Sequence, residues 1–245
     1  MVLRLGPLRI KIRFRRFKPE RLRKKFAREL RGHGIEIGAL GSPFPVAAEA
    51  IVTYVDRFSA QELREHNPGV PPERLVAPDL VSDATLLAEI PDASQDFVIA
   101  SHVLEHLDDP VRALFTWRRV LRPGGQLLLV VPDARFTFDR GRALTTLEHL
   151  LWDAAHPGTV EKHESDLQHV AEFEATAEPR LTREQALARA RAVLAESYDS
   201  HFHVWTYTTF RSHLRALVEN HELRFRIARD ASDDAFEMIF LLEAV

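Results

Sequence analysis

The chain has 245 residues, of which 45% are hydrophobic, with a formal net charge of −3 and no cysteine. This length and apolar content suit one α/β domain with an insertion, and the lack of cysteine excludes disulfides, a thiolate zinc site and a cysteine nucleophile. Because no apolar run approaches the roughly 20 residues that cross a bilayer and the first residues lack the apolar core of a signal peptide, we expect a cytoplasmic protein.

The charge is distributed unevenly along the chain. Residues 1–34 contain thirteen Lys and Arg against two Glu, a net charge of +11, so the remainder carries −14. Such an arm fits a contact of residues 4–31 with an anionic membrane surface, at the inner face, or with another polyanion. It equally fits a solvated helix that packs over the edge of a cofactor site. The alternating apolar residues of LRIKIRFRRF (8–17) predict a short strand or an interfacial segment, and nucleic acid is disfavoured because no aromatic and basic stacking platform follows.

The stretch HGIEIGALGSPFPV, at 33–46, predicts a buried strand, a glycine turn and then a helix after Pro45. Glycine tolerates positive φ and lets the backbone approach a ligand. Free N–H groups at a helix start attract a phosphate or a carboxylate. Asp56 ends the next strand, where a carboxylate would bind a ribose diol. Together these features indicate a site for a nucleoside-containing cofactor.

The apolar runs along the chain predict an α/β fold. Five parallel strands, buried on both faces, are predicted at 35–39, 51–55, 74–77, 96–100 and 126–131. Helices are predicted after Pro45 and at 59–66, 83–89 and 108–121. The chain then closes with a helix at 206–220 and strands at 222–229 and 236–243, joined by a turn at Asp233–Asp234. Right-handed crossovers make this a doubly wound, seven-stranded, mostly parallel sheet.

The segment between Pro132 and Trp205 is longer than such a fold requires. It contains helical patterns at 142–155 and 181–196 around a charged, His-rich stretch at 156–174. Ligands in open α/β sheets bind beyond the carboxyl ends of the strands, so an insertion that leaves the fifth strand there would roof the cleft. We predict a basic arm or helix at 1–32, a cofactor-binding core at 33–131, a helical substrate cap at 132–205, and a closing helix and hairpin at 206–245.

Five short motifs occur in an order that resembles the class I S-adenosylmethionine-dependent methyltransferases. They are Glu36-x-Gly38, Tyr54-Val55-Asp56, Ser82-Asp83-Ala84, VLEHL at 103–107 and LRPGG at 121–125. The resemblance covers about residues 33–133. It implies an enzyme with a Rossmann-like fold that binds S-adenosylmethionine and releases S-adenosylhomocysteine. Leu40 and Ser42 depart from the family pattern, because they replace its second and third glycines.

The resemblance also implies roles for individual residues. The turn from Glu36 to Gly41 would hold the methionine end of the cofactor, with Glu36 orienting its amine. Asp56 would accept hydrogen bonds from both ribose hydroxyls, although a surface turn also favours an acid. Asp83 would lie near the adenine amine, or it could cap a helix. The full set of predicted cofactor residues is Glu36, Gly38, Ala39, Gly41, Asp56, Asp83, Ala84, Ser101 and His102.

Methyl transfer to a hydroxyl requires a base as well as alignment. The nucleophile, the methyl carbon and the departing sulfur must lie in line, and a positioned side chain must remove the hydroxyl proton. His149 is the first candidate base, followed by His201 and Asp133, because all three lie in or beside the predicted cap. A Thr-x-x-Glu capping pattern at 145–148 would also explain the segment around His149 without catalysis.

Six histidines concentrate in the cap, at positions 149, 156, 163, 169, 201 and 203. Histidines at i, i+2 with carboxylates could bind a divalent ion that polarises a hydroxyl. No recognised ligand signature is present, so we predict no metal. In the family that the motifs resemble, Glu105 and His106 are more often structural than catalytic. Arginines around 135–142 could instead clamp a substrate carboxylate or phosphate.

The segments EIGALGSPFP, VPDARFTFD and HFHVWT together resemble a subgroup of bacterial methyltransferase-domain proteins associated with surface-polysaccharide synthesis. This resemblance implies O-methylation of a sugar or glycan hydroxyl, and the basic arm would suit a lipid-linked anionic acceptor. Two alternatives stay open: a small-molecule O- or N-methyltransferase of secondary metabolism, and a non-catalytic protein that uses the fold for binding. The VLEHL and LRPGG runs disfavour a dehydrogenase. The sequence does not predict the oligomeric state.

Overall fold

The computed structural model describes residues 4–5, 8–9, 19–195, 200–232 and 235–245. Near the N-terminus, Arg4–Leu5 (β1) and Leu8–Arg9 (β2) pair antiparallel, and Pro19–Ala27 forms helix α1. Residues 10–17 of the predicted strand or interfacial segment lie outside the described residues, as do the predicted turn at 233–234 and residue 196. In the described part of the chain, none of the helices combines the length and apolar character needed to cross a membrane.

One sheet of seven strands organises the fold. Its strands are Gly32–Ile37 (β3), Ala50–Asp56 (β4), Leu80–Val81 (β5), Gln95–Ser101 (β6), Leu121–Pro132 (β7), Phe225–Ser232 (β8) and Glu237–Ala244 (β9). Their spatial order is β5-β4-β3-β6-β7-β9-β8, and β9 runs antiparallel to both of its neighbours. This architecture confirms the predicted α/β class and the mostly parallel seven-stranded sheet.

In the part of the chain that the structure describes, six further α-helices connect the strands or extend the cap. They are Ala60–His66 (α2), Pro110–Val120 (α3), Leu147–Ala155 (α4), Val160–Ala177 (α5), Arg183–Ala195 (α6) and Tyr207–Asn220 (α7). Helix α3 begins after Asp109, whose side chain accepts a hydrogen bond from the Arg112 N–H, and Pro110 occupies its first turn. The helices predicted at 59–66, 108–121 and 206–220 are confirmed, and the His-rich stretch forms most of α5.

Successive residues of the central strands bury opposite faces of the sheet, as strand geometry requires. On one face, Trp117 of α3 and Phe210 of α7 pack in the larger hydrophobic layer. On the other face, Phe26 of α1 and the nearby Leu30 pack against Phe97. Helices therefore cover both sides of the sheet, and part of the basic arm is a structural helix.

The helix predicted after Pro45 is wrong, because residues 42–47 have no regular structure. A proline disfavours helical geometry in the residue before it, which here affects Ser42 and Phe44. The Phe44 N–H donates instead to the carboxylate of Glu36, at 2.8 and 3.1 Å from its two oxygens. The glycine turn is therefore followed by an irregular loop, and the predicted anion-binding helix start is absent from this described segment.

The strand predicted at 74–77 is also wrong, since the third parallel strand is β5. The Val76 N–H donates to the Leu40 carbonyl oxygen at 2.7 Å, so this segment is bound to the glycine turn rather than to the sheet. Two register pairs, of Leu80 with Val55 and of Val81 with Asp56, attach β5 to β4.

The helix predicted at 83–89 is replaced by turns. The Asp83 carboxylate accepts the Thr85 N–H at 2.6 Å, which favours a tight turn over a helix. Leu87 then has a positive φ of 43°, a conformation that helices do not contain.

The insertion packs on the core and on itself. Leu150 of α4 reaches the larger hydrophobic layer, whereas α5 and α6 form their own small core around Val170 and Ala190. The segment after residue 199 returns to the sheet, where the Phe202 N–H donates to the Glu105 carbonyl oxygen at 2.9 Å. The proposed domain boundaries themselves stay a prediction.

We expect Phe26→Ala to lower the free energy of unfolding by about 3–5 kcal/mol, because Phe26 is 1% exposed in the layer beneath the sheet. Denaturant unfolding followed by circular dichroism measures this change. Phe115→Ala is the matched control, since Phe115 is 40% exposed, and it should cost less than about 1 kcal/mol. Equal stabilities of the two variants would contradict a structural role for α1.

Candidate cofactor site and active site

A cleft of about 810 Å³ opens at the carboxyl ends of the central strands. Strands β3 and β6 are neighbours there, and the chain leads from them towards opposite edges of the sheet. Open α/β sheets bind their ligands at such a switch point. All nine predicted cofactor residues line this cleft: Glu36, Gly38, Ala39, Gly41, Asp56, Asp83, Ala84, Ser101 and His102.

The turn after β3 needs glycine at one position and tolerates leucine at another. Gly38 has a φ of +67°, and a Cβ on it would lie 2.9 Å from Cγ2 of Val103. Leu40 has a φ of +46°, which costs a non-glycine residue about 1–2 kcal/mol. The hydrogen bond from Val76 to the Leu40 carbonyl oxygen holds this conformation. The turn therefore keeps a left-handed backbone although the family's second glycine is replaced.

Glu36 places a carboxyl group at the floor of the cleft. Burial raises its pKa to about 7, while the hydrogen bond from Phe44 and the positive charge of Arg23 act in the opposite direction. A ligand ammonium group beside Glu36 would compensate the burial and favour its charged form. The site is therefore suited to the amine of an amino acid.

Asp56 and Asp83 follow the ends of two neighbouring strands. Asp56 Oδ1 accepts the Phe58 N–H at 3.1 Å. Asp83 Oδ1 accepts both the N–H and the hydroxyl of Thr85 at 2.6 Å. Asp83 thus caps a turn, a role close to the helix cap considered for it, and it also lines the cleft. The buried Trp117 fixes this turn, because its Nε1 donates to the Ala84 carbonyl oxygen at 2.9 Å.

His102 directly follows β6 and adopts a positive φ of 56°. Its Nε2 lies 3.0 Å from Glu237 Oε1, and its Nδ1 lies 3.4 Å from Glu105 Oε1. Burial lowers the pKa of His102, but these two carboxylates outweigh it and raise the pKa to about 9. An imidazolium at neutral pH cannot accept a proton, so His102 is a charged part of the cleft wall rather than a base.

The charged cleft residues that were not predicted from the sequence include Arg23 and Glu237, which pair with each other, and Asp166. Arg23 of α1 forms an ion pair with Glu237 of β9, and its Nε donates to Glu237 Oε2 at 3.0 Å. Arg23 Nη2 also donates to Ser101 Oγ at 3.4 Å. Nothing in the sequence separates Arg23 from the other basic residues of the arm. Glu237 gives a weak signal, since it is an acid that begins an otherwise apolar buried strand.

Two of the predicted bases lie away from the described residues that line the cleft. Asp133 is fully buried, and its Oδ2 accepts the Tyr207 N–H at 3.2 Å, so it joins β7 to α7. His149 lies on α4, with Nε2 3.1 Å from Asp153 Oδ2. Burial and then the charge of Lys162 lower the pKa of His149.

The third predicted base, His201, is also outside the described cleft lining. Its Nδ1 lies 2.7 Å from Asp139 Oδ2. Arg142 Nη1 in turn lies 2.6 Å from Asp139 Oδ1, and Arg135 pairs with Asp133 at 2.7 Å. Arg135 and Arg142, which are among the arginines considered as substrate clamps, therefore bind carboxylates of the protein itself.

Residues 24–129 match the family described as "Methyltransferase domain". Over 58 residues the chain is 48% identical to a Mycolicibacterium smegmatis protein named "Probable S-adenosylmethionine-dependent methyltransferase", an alignment that covers 23% of this chain and 22% of that protein. The chain spans at most 28% of the length of the curated relatives that it matches.

Solved structures align with most of the chain at low identity. A SAM-dependent methyltransferase from Aquifex aeolicus is 13% identical, with a TM-score of 0.49 over 94% of this chain and 90% of that one. A structure from Rhodobacter sphaeroides that is named after Zn-dependent alcohol dehydrogenases is 16% identical, with a TM-score of 0.50 over 92% of this chain and 90% of that one. Likeness at such identities concerns the fold alone.

The residues that match the family include the strands β3 to β6, whose carboxyl ends form the cleft. Residues 24–129, which include the ordered motifs, match this methyltransferase-domain family.

We expect Glu237→Gln to lower the pKa of His102 from about 9 towards its ordinary value of 6.5, because one of its two carboxylate partners loses its charge. NMR titration of the His102 ring measures this shift. Glu243→Gln, which changes an exposed acid of the same strand paired with Arg226, is the control and should leave the titration unchanged.

The titration of His102 also makes the stability of the folded protein depend on pH. The folded-state pKa of His102 lies above its unfolded value, so its contribution is complete below pH 6.5 and is lost as the pH rises through about 9. The thermal stability of the wild type should therefore fall between pH 7 and 9, and by less in the Glu237→Gln variant. A titration midpoint that stays near pH 9 in this variant would contradict the assigned pairing.

Proposed function

We propose that the protein transfers a methyl group from S-adenosylmethionine to a hydroxyl group of a sugar or surface-glycan acceptor. The observation that carries this proposal is the convergence of Glu36, Asp56 and Asp83 on one cleft from three successive strand ends. The three acids are proposed to bind the amine, the ribose and the adenine of the cofactor, in that order along the chain. The family of residues 24–129 supports the same donor.

In this proposal each part of the cofactor has its own contacts. Glu36 binds the methionine amine, while the backbone of Gly38, Ala39 and Gly41 surrounds the amino-acid end. Asp56 accepts from both ribose hydroxyls, an arrangement that needs an ionised carboxylate. Asp83 and Ala84 lie beside the adenine. Ser101 and His102 lie beside the sulfonium.

The acceptor is proposed to enter from the insertion side of the cleft. Five residues of the insertion line the cleft: His163, Asp166, Val193, Leu194 and Phe202. A sugar offers hydroxyls to carboxylate and imidazole groups and apolar C–H faces to an aromatic ring, so this mixed lining supports it. The cleft volume lies in the upper part of the range of roughly 300–1,000 Å³ for small-molecule sites, which leaves room for two ligands.

Asp166 is the proposed general base, in place of the three residues that lie outside the lining. It faces the cleft from α5 and forms an ion pair with Lys162. Burial raises its pKa, which the hydrogen bond and charge of Lys162 oppose. A carboxylate with a raised pKa is a better proton acceptor near neutral pH.

The proposed reaction is an in-line displacement at carbon. The acceptor oxygen forms a bond with the methyl carbon while the carbon–sulfur bond breaks, and the sulfonium becomes the neutral thioether of S-adenosylhomocysteine. The hydroxyl proton passes to the Asp166 carboxylate. The protein contributes chiefly alignment of the two ligands.

The basic arm has a proposed partner as well. Helix α1 uses its apolar residues to pack on the sheet, and an anionic membrane surface or another polyanion is proposed to contact the basic residues of 4–31. This contact would place the protein at the inner membrane face, near a lipid-linked acceptor.

We expect Asp56→Ala to raise the dissociation constant of S-adenosylmethionine by about 100-fold or more, because two charge-assisted hydrogen bonds of roughly 1.5–3 kcal/mol each are lost. Isothermal titration calorimetry with the cofactor and with S-adenosylhomocysteine measures this. Asp92→Ala is the control, since Asp92 is an exposed acid paired with Arg119 and lies outside the cleft lining. Wild-type protein that binds neither compound would refute the proposed donor.

The acceptor is tested by transfer of a labelled methyl group from S-adenosylmethionine to nucleotide sugars and glycan fragments, with phenols, quinols and amines as the competing panel. Label in the sugar fraction supports the proposal, and label confined to the other panel refutes the sugar acceptor. With the preferred acceptor, Asp166→Asn should lower kcat by roughly 100-fold or more while cofactor binding stays unchanged. An unchanged kcat would exclude Asp166 as the base.

A further inference from the structure

Glu105, His106 and His201 bring three metal-binding side chains together behind the cleft. One ligand atom of each lies within 4.8 Å of those of the other two. The His106 Nε2 lies 3.9 Å from Glu105 Oε1. Ligands that share one ion at about 2.1 Å are roughly 3 to 4 Å apart, so small side-chain movements would bring these three to coordination distance.

Within the described residues, the partners of the Glu105 carboxylate are histidine rings at long distances, His102 at 3.4 Å and His106 at 3.9 Å. Its side chain is fully buried, and neither carboxylate oxygen accepts a hydrogen bond within the described residues. A buried carboxylate without hydrogen bonds is costly unless it is paired or coordinates a metal. His102 Nδ1 lies 3.4 Å from Oε1, but the other ring nitrogen of His102 has Glu237 at 3.0 Å. Glu105 can therefore turn towards a cation while His102 keeps a partner.

In both histidines the Nδ1 has a hydrogen-bond partner, and the Nε2 of His106 faces Glu105 at 3.9 Å. The Nδ1 of His201 lies 2.7 Å from Asp139 Oδ2. The Nδ1 of His106 lies 3.0 Å from the Ser200 carbonyl oxygen, to which it can only donate. In metal sites a carboxylate or a carbonyl oxygen orients a ligating histidine in this way and sets its tautomer.

Asp139, the carboxylate that orients His201, is itself held in place. Arg142 Nη1 lies 2.6 Å from Asp139 Oδ1, and both side chains are 3% exposed. Arg142 Nη2 also donates to the His201 carbonyl oxygen at 2.9 Å. The orientation of the His201 ring is therefore fixed from two sides, which a merely space-filling histidine does not need.

We propose that Glu105, His106 and His201 bind a divalent transition-metal ion, such as Zn²⁺ or Mn²⁺. Two imidazoles and one carboxylate suit such ions, whereas Mg²⁺ and Ca²⁺ prefer sites made of oxygen ligands alone. Three protein ligands leave at least one coordination position open. Of the three ligands, His106 lines the cleft.

A second cluster, formed by His149, Asp153 and His203, has the same ligand types. Its carboxylate already has a cation, because the Nζ of the buried Lys162 lies 3.5 Å from Asp153 Oδ1. A metal ion there would have to bind against a buried ammonium group. His102 lies equally close to Glu105, at 3.4 Å, so what favours the cluster around Glu105 is that His106 lines the cleft, whereas the described cleft lining includes no residue of the second cluster.

The consequence for catalysis rests on the proposed function. A hydroxyl of the acceptor bound at the open position would lose its proton more readily, because a divalent ion stabilises the alkoxide. The metal would then orient the acceptor beside the methyl group and share the activation of the nucleophile with Asp166. Metal binding itself does not depend on this role.

The site is tested with protein that carries no polyhistidine tag and is first treated with a chelator. Calorimetric titration with Zn²⁺, and the visible spectrum with Co²⁺ as a probe, report binding without any activity assay. We expect one ion per chain at a site that Glu105→Gln and His201→Ala each weaken about 100-fold or more. Asp139→Asn should weaken it roughly 10- to 100-fold, as loss of an orienting partner does.

Asp153→Asn is the matched control, since it removes the corresponding carboxylate of the second cluster, and it should leave this site intact. Circular dichroism and binding of S-adenosylhomocysteine show that each variant is folded and separate a failed metal site from a failed cofactor site. Wild-type protein without a Zn²⁺ site would overturn the proposal. So would binding that is lost in Asp153→Asn but unchanged in Glu105→Gln.

Discussion

The buried carboxylate of Glu36 is the constraint on which the cleft depends. It sits in the central strand, almost without solvent, where an unpartnered charge is unfavourable. The Phe44 N–H donates a hydrogen bond to this carboxylate, and the positive charge of Arg23 lies nearby, so both stabilise its charged form. The same hydrogen bond draws the segment after the glycine turn into a loop instead of a helix. The mouth of the site is therefore shaped by a side chain rather than by regular secondary structure.

A chain of charges extends from this point across the end of the sheet. Arg23 binds Glu237, Glu237 binds His102, and His102 approaches Glu105. The helix before the first core strand, the last strand and the end of β6 are thereby linked through the cleft wall. Removing one member leaves another buried charge uncompensated, which is more damaging than the loss of a surface ion pair. This arrangement also explains why part of the basic arm belongs to the core.

The sequence predicted the elements whose signals are local. The strand around Ile35, the capped helix α3 and the position of Asp56 follow from apolar runs, proline and glycine spacing, and motif order. The loop after Gly41 was mispredicted because the bond between Phe44 and Glu36 is a tertiary contact that competes with helix formation. The short β5 was misplaced for a similar reason, since Val76 is held by the glycine turn.

The strand-end residues of the cleft were predictable from the sequence, whereas the rest of its lining was not. Glu36, Asp56 and Asp83 follow strands, so the topology alone brings them to one cleft. The partnership of Arg23 and Glu237 joins residues 214 positions apart and leaves no periodic signal. The candidate bases in the cap were predicted from their positions in the sequence, which do not determine the direction of a side chain. His149, for example, faces Asp153 one helical turn later instead of the cleft.

The most direct test is a crystal structure of the protein with S-adenosylhomocysteine. We expect the ribose hydroxyls on the carboxylate of Asp56, the amino group beside Glu36 and the sulfur near Ser101 and His102. Crystals soaked at saturating ligand that show the product bound elsewhere, or the cleft without it, would exclude this cleft as the cofactor site.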